Sequence, residues 1–458
     1  MEPFDALHAF RSFRTSFYEC LDRRADALFD ITDALLSAEA VPSPVHLSLQ
    51  PSHRRGWGSL YAALAHGTID AQALRDLLAR EVPLAGAEDE PPVYAVDASV
   101  WDRCDAECSP ERGFYYHPSR HSSGQPIVAG WAYQFIARLN FVRESWTAPV
   151  DVARVHPSRD ANGVAVEQIK AFASRSSVEE GLAPLFVFDA GYDPVKLQQG
   201  LEGSSLPCQI LLRLRAGRSF YGDPSLSEPP ANIGRPRRHG PKMKCSDHST
   251  WPEPSAEHAC EDAGYGNVRV RAWAGLHPKV ASHEGRGSRA PLPIVVGTLV
   301  LVEVERLPRG QRRREPRVLW LWWAGPEGTE PDLGLLWRAY VRRFDLEHTF
   351  RFLKQTFGWT SPRFRHPEQA DRWTWLVVAA FTQLRLARRS VADMRLPWER
   401  RYEAGRLTPV RVQRVLSTLL GKLGTPAKPP KPCGRSPGRP KGRLSGRAKL
   451  YPAIKKSA

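Results

Sequence analysis

No stretch of the chain offers the roughly 18 uninterrupted apolar residues that a membrane-spanning helix needs, so the reading excludes a membrane-embedded protein. The first residues, with Glu2, Asp5 and Arg11, lack the pattern of a secretory leader, and a cytoplasmic protein is expected. Cysteine is sparse: seven residues, an odd number at wide spacing, suit reduced thiols rather than a disulfide framework. Lysine is scarce beside arginine, 13 against 52. Acidic residues are missing altogether from the last 37 positions, and no internal repeat is found. Hydrophobic residues at 42% and charged residues at 25% are ordinary for a globular protein and argue against global disorder.

What is abundant is positive charge and proline. A net charge of +16 attracts polyanions, of which nucleic acid is the commonest for such a protein, and a nucleoid association follows if DNA is bound. Guanidinium forks suit phosphate oxygens better than ammonium groups do, although an Arg, Ala, Gly and Pro bias also records a GC-rich genome. The 40 prolines cluster in connecting stretches such as Pro229 to Pro241 and Pro426 to Pro440.

At 458 residues the chain should form more than one unit. Helical spacing of Leu7, Phe10, Phe13, Phe17 and Leu21, then a second helical run over Leu60 to Leu78, indicate a helical N-terminal domain over 1–90. Gly67 and Asp70 could punctuate a helix-turn-helix that engages DNA ends; the alternative is a helical pair that packs on the main domain. From Pro92 the pattern turns to strands at Val93–Val96, Ile127–Leu139 and Val150–Val155, a helix at Val164–Ser174, and a strand at Leu185–Phe188 that runs into Asp189. This order is how a ribonuclease-H-like α/β core begins, expected over 91–205 and again over 326–390. Between the halves, 206–325 reads as a β-rich insertion with strands at Ile210–Leu214, Val268–Trp273, Ile294–Val304 and Val318–Trp323. Helices are expected over Leu333–Phe357 and Pro367–Arg388, a C-terminal helical segment over 391–421, and a basic disordered tail over 422–458.

Two aspartates, Asp97 and Asp189, end apolar strands, where an Asp is often only a turn or cap residue. The helix expected over Leu333–Phe357 adds a sharper pattern. At about 100° per residue, Tyr340, Arg343, Glu347 and Lys354 lie within roughly 60° of one another, so one face would carry a carboxylate for a metal and three groups able to hold phosphate. A solvated face with charge pairs is the plainer explanation of the same spacing.

Tyr340-x2-Arg343-x3-Glu347-x6-Lys354 resembles the Tyr-Arg-Glu-Lys signature of DDE transposases from the insertion-sequence-four group of bacterial insertion sequences. Val93-Tyr94-Ala95-Val96-Asp97-Ala98-Ser99 resembles that family's first-Asp strand, and Phe186-Val187-Phe188-Asp189-Ala190-Gly191-Tyr192-Asp193 its second-Asp motif. The long gap between Asp189 and Glu347 resembles the family's β-rich insertion, and the likeness covers about Pro92 to Arg388. It implies catalytic, metal-ligating Asp97, Asp189 and Glu347, with Asp102 and Asp193 as near rivals of the two Asp residues, and supporting phosphate contacts from Tyr340, Arg343 and Lys354. It also implies two Mg²⁺ ions, with Mn²⁺ as substitute, and a transesterification that needs no ATP. The expected partners are double-stranded DNA, as terminal inverted repeats and as target, and a second copy of the chain in a DNA-bound homodimer.

Basic loops are further DNA candidates: Arg235, Arg237, Arg238, Lys242 and Lys244, then Arg312, Arg313 and Arg314. In the tail, Arg439, Lys441 and Arg443 lie in a Gly-Arg-Pro stretch like the core of an AT-hook, which lies in a narrow minor groove. Cys245, His248, His258 and Cys260 fit no zinc-finger spacing, and Trp320, Trp322 and Trp323 read as packing residues in a strand. Two other readings remain beside an active transposase: a nuclease of the same fold that only hydrolyses DNA, and an inactive descendant that binds DNA.

Overall fold

The computed structural model describes residues 3–82, 90–117, 126–141, 146–174, 182–203, 207–226, 238–280, 292–308, 318–402, 406–432, 438, 442 and 446–455. It divides into two compact units, the first of Met1–Ala85, Ala98–Asp160 and Asp345–Ala458, the second of Gly86–Asp97 and Ala161–Phe344. The chain opens with α1 (Pro3–Glu19), α2 (Ala25–Ser37), α3 (Pro44–Leu47), α4 (Trp57–His66) and α5 (Ala71–Arg80). The helical run expected over Leu60–Leu78 is two helices, divided between Gly67 and Asp70, the two residues expected to punctuate it. Asp70 caps α5 by accepting hydrogen bonds from the Gln72 and Ala73 amides, and at Gly67 a side chain would meet the Ala63 carbonyl at 2.5 Å. Every residue of α2 from Ala27 to Leu36 is buried, so this helix forms part of the first unit's core.

Strand β1 (Val93–Asp102) begins in the second unit and ends in the first. In the first unit it neighbours β3 (Ile127–Arg138), which pairs antiparallel with β2 (Gly113–Tyr116) and β4 (Ala148–Val155). The second unit continues with α6 (Ala161–Ala173), β5 (Leu185–Phe188), α7 (Pro194–Leu201) and β6 (Gln209–Leu214). There the first half of β1 is parallel to β5, and β5 is parallel to β6. Leu185–Phe188 is buried throughout, the continuous apolar run that a strand covered on both faces requires. The parallel pairing makes β6 a core strand, which corrects the expectation that the insertion starts before it.

After β6 come β7 (Ser219–Tyr221), β8 (Lys242–Lys244), β9 (Ala256–Asp262), β10 (Gly266–Pro278), β11 (Gly297–Val304) and β12 (Val318–Ala324). These pair antiparallel, β6 to β12 to β11 to β10, with β9 and β7 both on β10 and β8 on β7. Trp320, Trp322 and Trp323 are buried, as packing residues should be. Parallel strands joined to an antiparallel set, with helices α6 and α7, make this a mixed α/β ribonuclease-H-like core bearing a β-rich insertion.

The expected helix over Leu333–Phe357 is divided at Arg343 into α8 (Leu333–Arg342) and α9 (Phe344–Gln355). Tyr340 and Arg343 therefore end one helix while Glu347 and Lys354 share the next, and the four-residue face is corrected to two pairs. Helix α10 (Pro367–Ala387) is buried almost continuously from Trp373 to Ala387 and packs on α1, α2, α4, β4 and α11 (Pro409–Leu423).

Among its described residues the basic tail forms no helix or strand beyond α11, as its composition implies, yet it is held at two places. The Gly424 carbonyl accepts from Arg14, the Ala427 and Lys428 carbonyls from Arg54, and Lys428 N–H donates to Asp26. Farther on, Tyr451 and Ile454 donate to the Glu107 and Arg112 carbonyls, and the buried Arg112 guanidinium donates to the Tyr451 carbonyl at 2.8 Å. Deleting residues 446–458 is expected to cost about 3 kcal/mol in urea unfolding, because three hydrogen bonds go, one of them charge-assisted. An unchanged urea midpoint would show the anchor to be idle.

Candidate active site

On three adjacent parallel strands, Val96 pairs with Phe188 and Phe188 with Leu212. Asp97, Asp189 and Arg213 each follow by one residue: Asp97 lies within β1 where its pairing with β5 stops, Asp189 just past the end of β5, and Arg213 on β6, with neighbouring strands about 4.8 Å apart. Carboxyl ends of parallel strands are where α/β sheets place their ligands. Asp97 forms an ion pair with Arg343, Nη1 to Oδ2 at 2.9 Å, and the Arg343 guanidinium lies over the Tyr340 and Phe344 rings. Asp189 accepts from the Gly191 amide at 2.8 Å.

Tyr192 is buried against Phe188. Burial pushes its phenol well above the ordinary value, and the Asp97 and Asp189 carboxylates push it further, while Arg343 opposes them. Tyr192 is thus a neutral phenol beside both acids. The Tyr340 phenol is also raised by burial, with the Arg343 and Arg213 guanidiniums acting the other way. Sequence reasoning passed over Tyr192, although it lies in the quoted second-Asp motif, and Arg213, whose signal is a single charge inside an apolar strand.

The rival acids have local structural work. Asp193 caps α7 through the Val195 and Lys196 amides, and Asp102 accepts from the Cys104 amide. Glu347 is exposed in the first turn of α9, where a carboxylate complements the helix dipole. Lys354, two turns later, donates to the Val100 carbonyl at 3.3 Å and lies 6.0 Å from the Trp359 ring centre. A hydrogen bond between Thr147 and Thr349, 2.8 Å long, fastens α9 beside β4. Among the described residues no three His, Cys, Asp or Glu side chains are grouped to hold a metal ion. What the second unit brings together is the Asp97 and Asp189 pair.

Of the basic candidates, Arg238 donates to the Leu292 carbonyl at 2.6 Å, and Lys242 and Lys244 flank buried Met243 on β8 with both side chains exposed. Arg235, Arg237, Arg312, Arg313, Arg314, Arg439, Lys441 and Arg443 lie outside the described residues. His248 rests on the Trp251 ring, and burial pushes the Cys245 thiol up to about 12. No helix among the described residues is long and apolar enough to cross a membrane.

A mixed α/β sheet of this topology, with its flanking helices, defines a ribonuclease-H-like protein. Residues 16–279 match the DDE superfamily endonuclease family, more than half of the chain, and the protein belongs to that family, whose enzymes use divalent metals. The matched span contains Asp97 and Asp189 and stops before Glu347. No curated protein matches the chain. Among solved structures the chain is similar to the piggyBac transposase in its cryo-EM synaptic complex with hairpin DNA, at 10% identity and a TM-score of 0.40, over 96% of this chain and 88% of that one. So loose a likeness transfers no residue and no activity.

Proposed function

We propose that this DDE enzyme is a transposase of the insertion-sequence-four-like group, which cleaves the ends of an insertion sequence and joins them to target DNA. The observation that carries the reading is the pair Asp97 and Asp189, each one residue past the point where the parallel pairing of β1 and β5 stops, within the span that matches the family. The Tyr340, Arg343, Glu347 and Lys354 spacing supports the finer grouping. Double-stranded DNA would be the substrate, as inverted repeats and as target, and a homodimer would hold two ends together.

The donor chemistry fits divalent metal: Asp97 and Asp189 offer hard oxygens side by side, and one already attracts a cation, Arg343. With Glu347 as the third carboxylate, bound Mg²⁺ or Mn²⁺ would supply activation of the attacking oxygen and stabilisation of the leaving one. The protein's own groups do the positioning. Arg343 neutralises Asp97, and since a guanidinium carries five N–H donors, that bond does not bar it from a phosphate oxygen. Tyr192 remains protonated and keeps an apolar body against the acids. Tyr340, Lys354 and the basic residues Arg238, Lys242 and Lys244 would hold DNA phosphates, which position the duplex without reading its sequence.

The family description, an endonuclease, equally accommodates a hydrolytic nuclease of the same fold. The two separate in one assay. Given a pre-cut transposon end with a free 3′ hydroxyl, a plasmid target and Mg²⁺, the transposase joins the end to the plasmid. Cutting that persists without any joined product would leave the nuclease.

A further inference from the structure

Residues 388–402, the described stretch that follows α10 within the first unit, concentrate positive charge on an exposed surface far in sequence from Asp97 and Asp189. Arg389, Arg395, Arg400 and Arg401 are all exposed. The segment contains two acids, and both are turned onto α11: Asp393 pairs with Arg411 at 2.9 Å, and Glu399 with Arg414 at 2.7 Å. The Arg414 guanidinium and the Leu396 amide hold the Glu399 carboxyl down at about 2, so its charge is met by α11 at neutral pH. What faces outward is cationic.

Within this stretch stands Trp398, 80% exposed, and Met394, four residues earlier, is exposed too. The tryptophan sits on a turn closed from both sides. Glu399 N–H donates to the Leu396 carbonyl at 2.9 Å, and Leu396 N–H donates to the Glu399 carboxylate at 2.7 Å. Pro397 takes the second position of that turn, where its fixed φ is suited. A large aromatic held out in water on a rigid turn resembles a binding anchor, because little conformational freedom remains to be lost on docking.

We infer that residues 388–402 are a DNA-docking surface, in which Arg389, Arg395, Arg400 and Arg401 take backbone phosphates and Trp398 stacks on an unpaired base. The inference rests on the reading of the chain as a DNA-cutting enzyme and adds a contact remote in sequence from its acids. A second copy of the chain is a poor occupant, because an isologous contact would set two arginine clusters against each other. Aromatic stacking on a base is tolerant of sequence, and the guanidiniums supply the salt-dependent part of the affinity.

The test uses the full chain as wild type, Trp398→Ala and the double variant Arg400→Ala with Arg401→Ala, all at exposed positions. Fluorescence anisotropy with a labelled blunt duplex and with a duplex bearing a single-stranded overhang is followed over a salt series, and sedimentation with vesicles of anionic phospholipid gives a second arm. The double variant should flatten the slope of log K against log salt by about 1.8, for two phosphates lost. Trp398→Ala should weaken overhang binding about tenfold, with the slope unchanged. Variants that bind both DNAs like wild type overturn the inference, as does a loss confined to vesicles, which would assign the surface to a membrane. Those outcomes leave the active-site reading standing if all three proteins still cut DNA. A wild type that neither binds nor cuts DNA sinks that reading instead.

Discussion

Asp189→Asn should lower Mg²⁺-dependent cleavage of transposon ends by at least about 10³-fold, and Asp97→Asn and Glu347→Gln should do the same. Each change keeps the side-chain size and removes one negative charge from the metal's donor set. Metal stabilisation of transition-state charge is worth several kcal/mol, and about 4 kcal/mol corresponds to three decades in rate. Asp189→Asn is the cleanest of the three, because the amide oxygen can still accept from the Gly191 N–H. Asp97→Asn also weakens the ion pair with Arg343, whose side chain is only 5% exposed, so circular dichroism and DNA binding must accompany the rate. Folded, DNA-binding Asp189→Asn protein that cuts at the wild-type rate would defeat the carboxylate assignment.

Arg14→Ala should destabilise the first unit by about 3–5 kcal/mol in urea unfolding, the usual cost of stranding one member of a buried ion pair. Arg14 makes a two-pronged bond to Asp33, at 2.6 and 3.0 Å, and also donates to Gln383 and to the Gly424 carbonyl. Its guanidinium lies 4.9 Å from the Phe29 ring centre. Burial raises the pKa of Asp33 despite this partner, so ionisation of Asp33 works against folding. That penalty is absent below the ordinary carboxylate range and grows as pH climbs through it, so the loss in Arg14→Ala should be smallest in acid. The paired change Arg14→Met with Asp33→Leu removes both charges and should restore most of the stability. An Arg14→Ala protein with the wild-type midpoint at neutral pH would show that the network contributes nothing.

Leu185–Phe188 was legible to the residue, and α10 and β3 to within one residue, because a fully buried strand and a long helix each write their burial locally as apolar runs or a helical period. β9 was not legible. Ala-Glu-His-Ala-Cys-Glu-Asp has no apolar alternation, and it is a strand because β10 offers it a backbone edge. β2, β7 and β8 are three or four residues long, too short to show a period. The break at Arg343 was hidden for the opposite reason: Leu333–Phe357 keeps its helical period across the point where the hydrogen-bond ladder divides.

The sequence by itself determined the α/β class, the order of the strands that carry Asp97 and lead into Asp189, and the DDE character of the chain, since each is carried by residues close together in the chain. Tertiary structure decided which groups act on one another. Strand register, not spacing, sets Asp97 beside Asp189 and Arg213 and leaves Asp193 as a helix cap. The Arg343 bond to Asp97 spans 246 positions, and the Gln383 bond to Arg14 spans 369. No local pattern encodes such pairs, because they form only when sheet pairing and core burial bring distant charges out of water together.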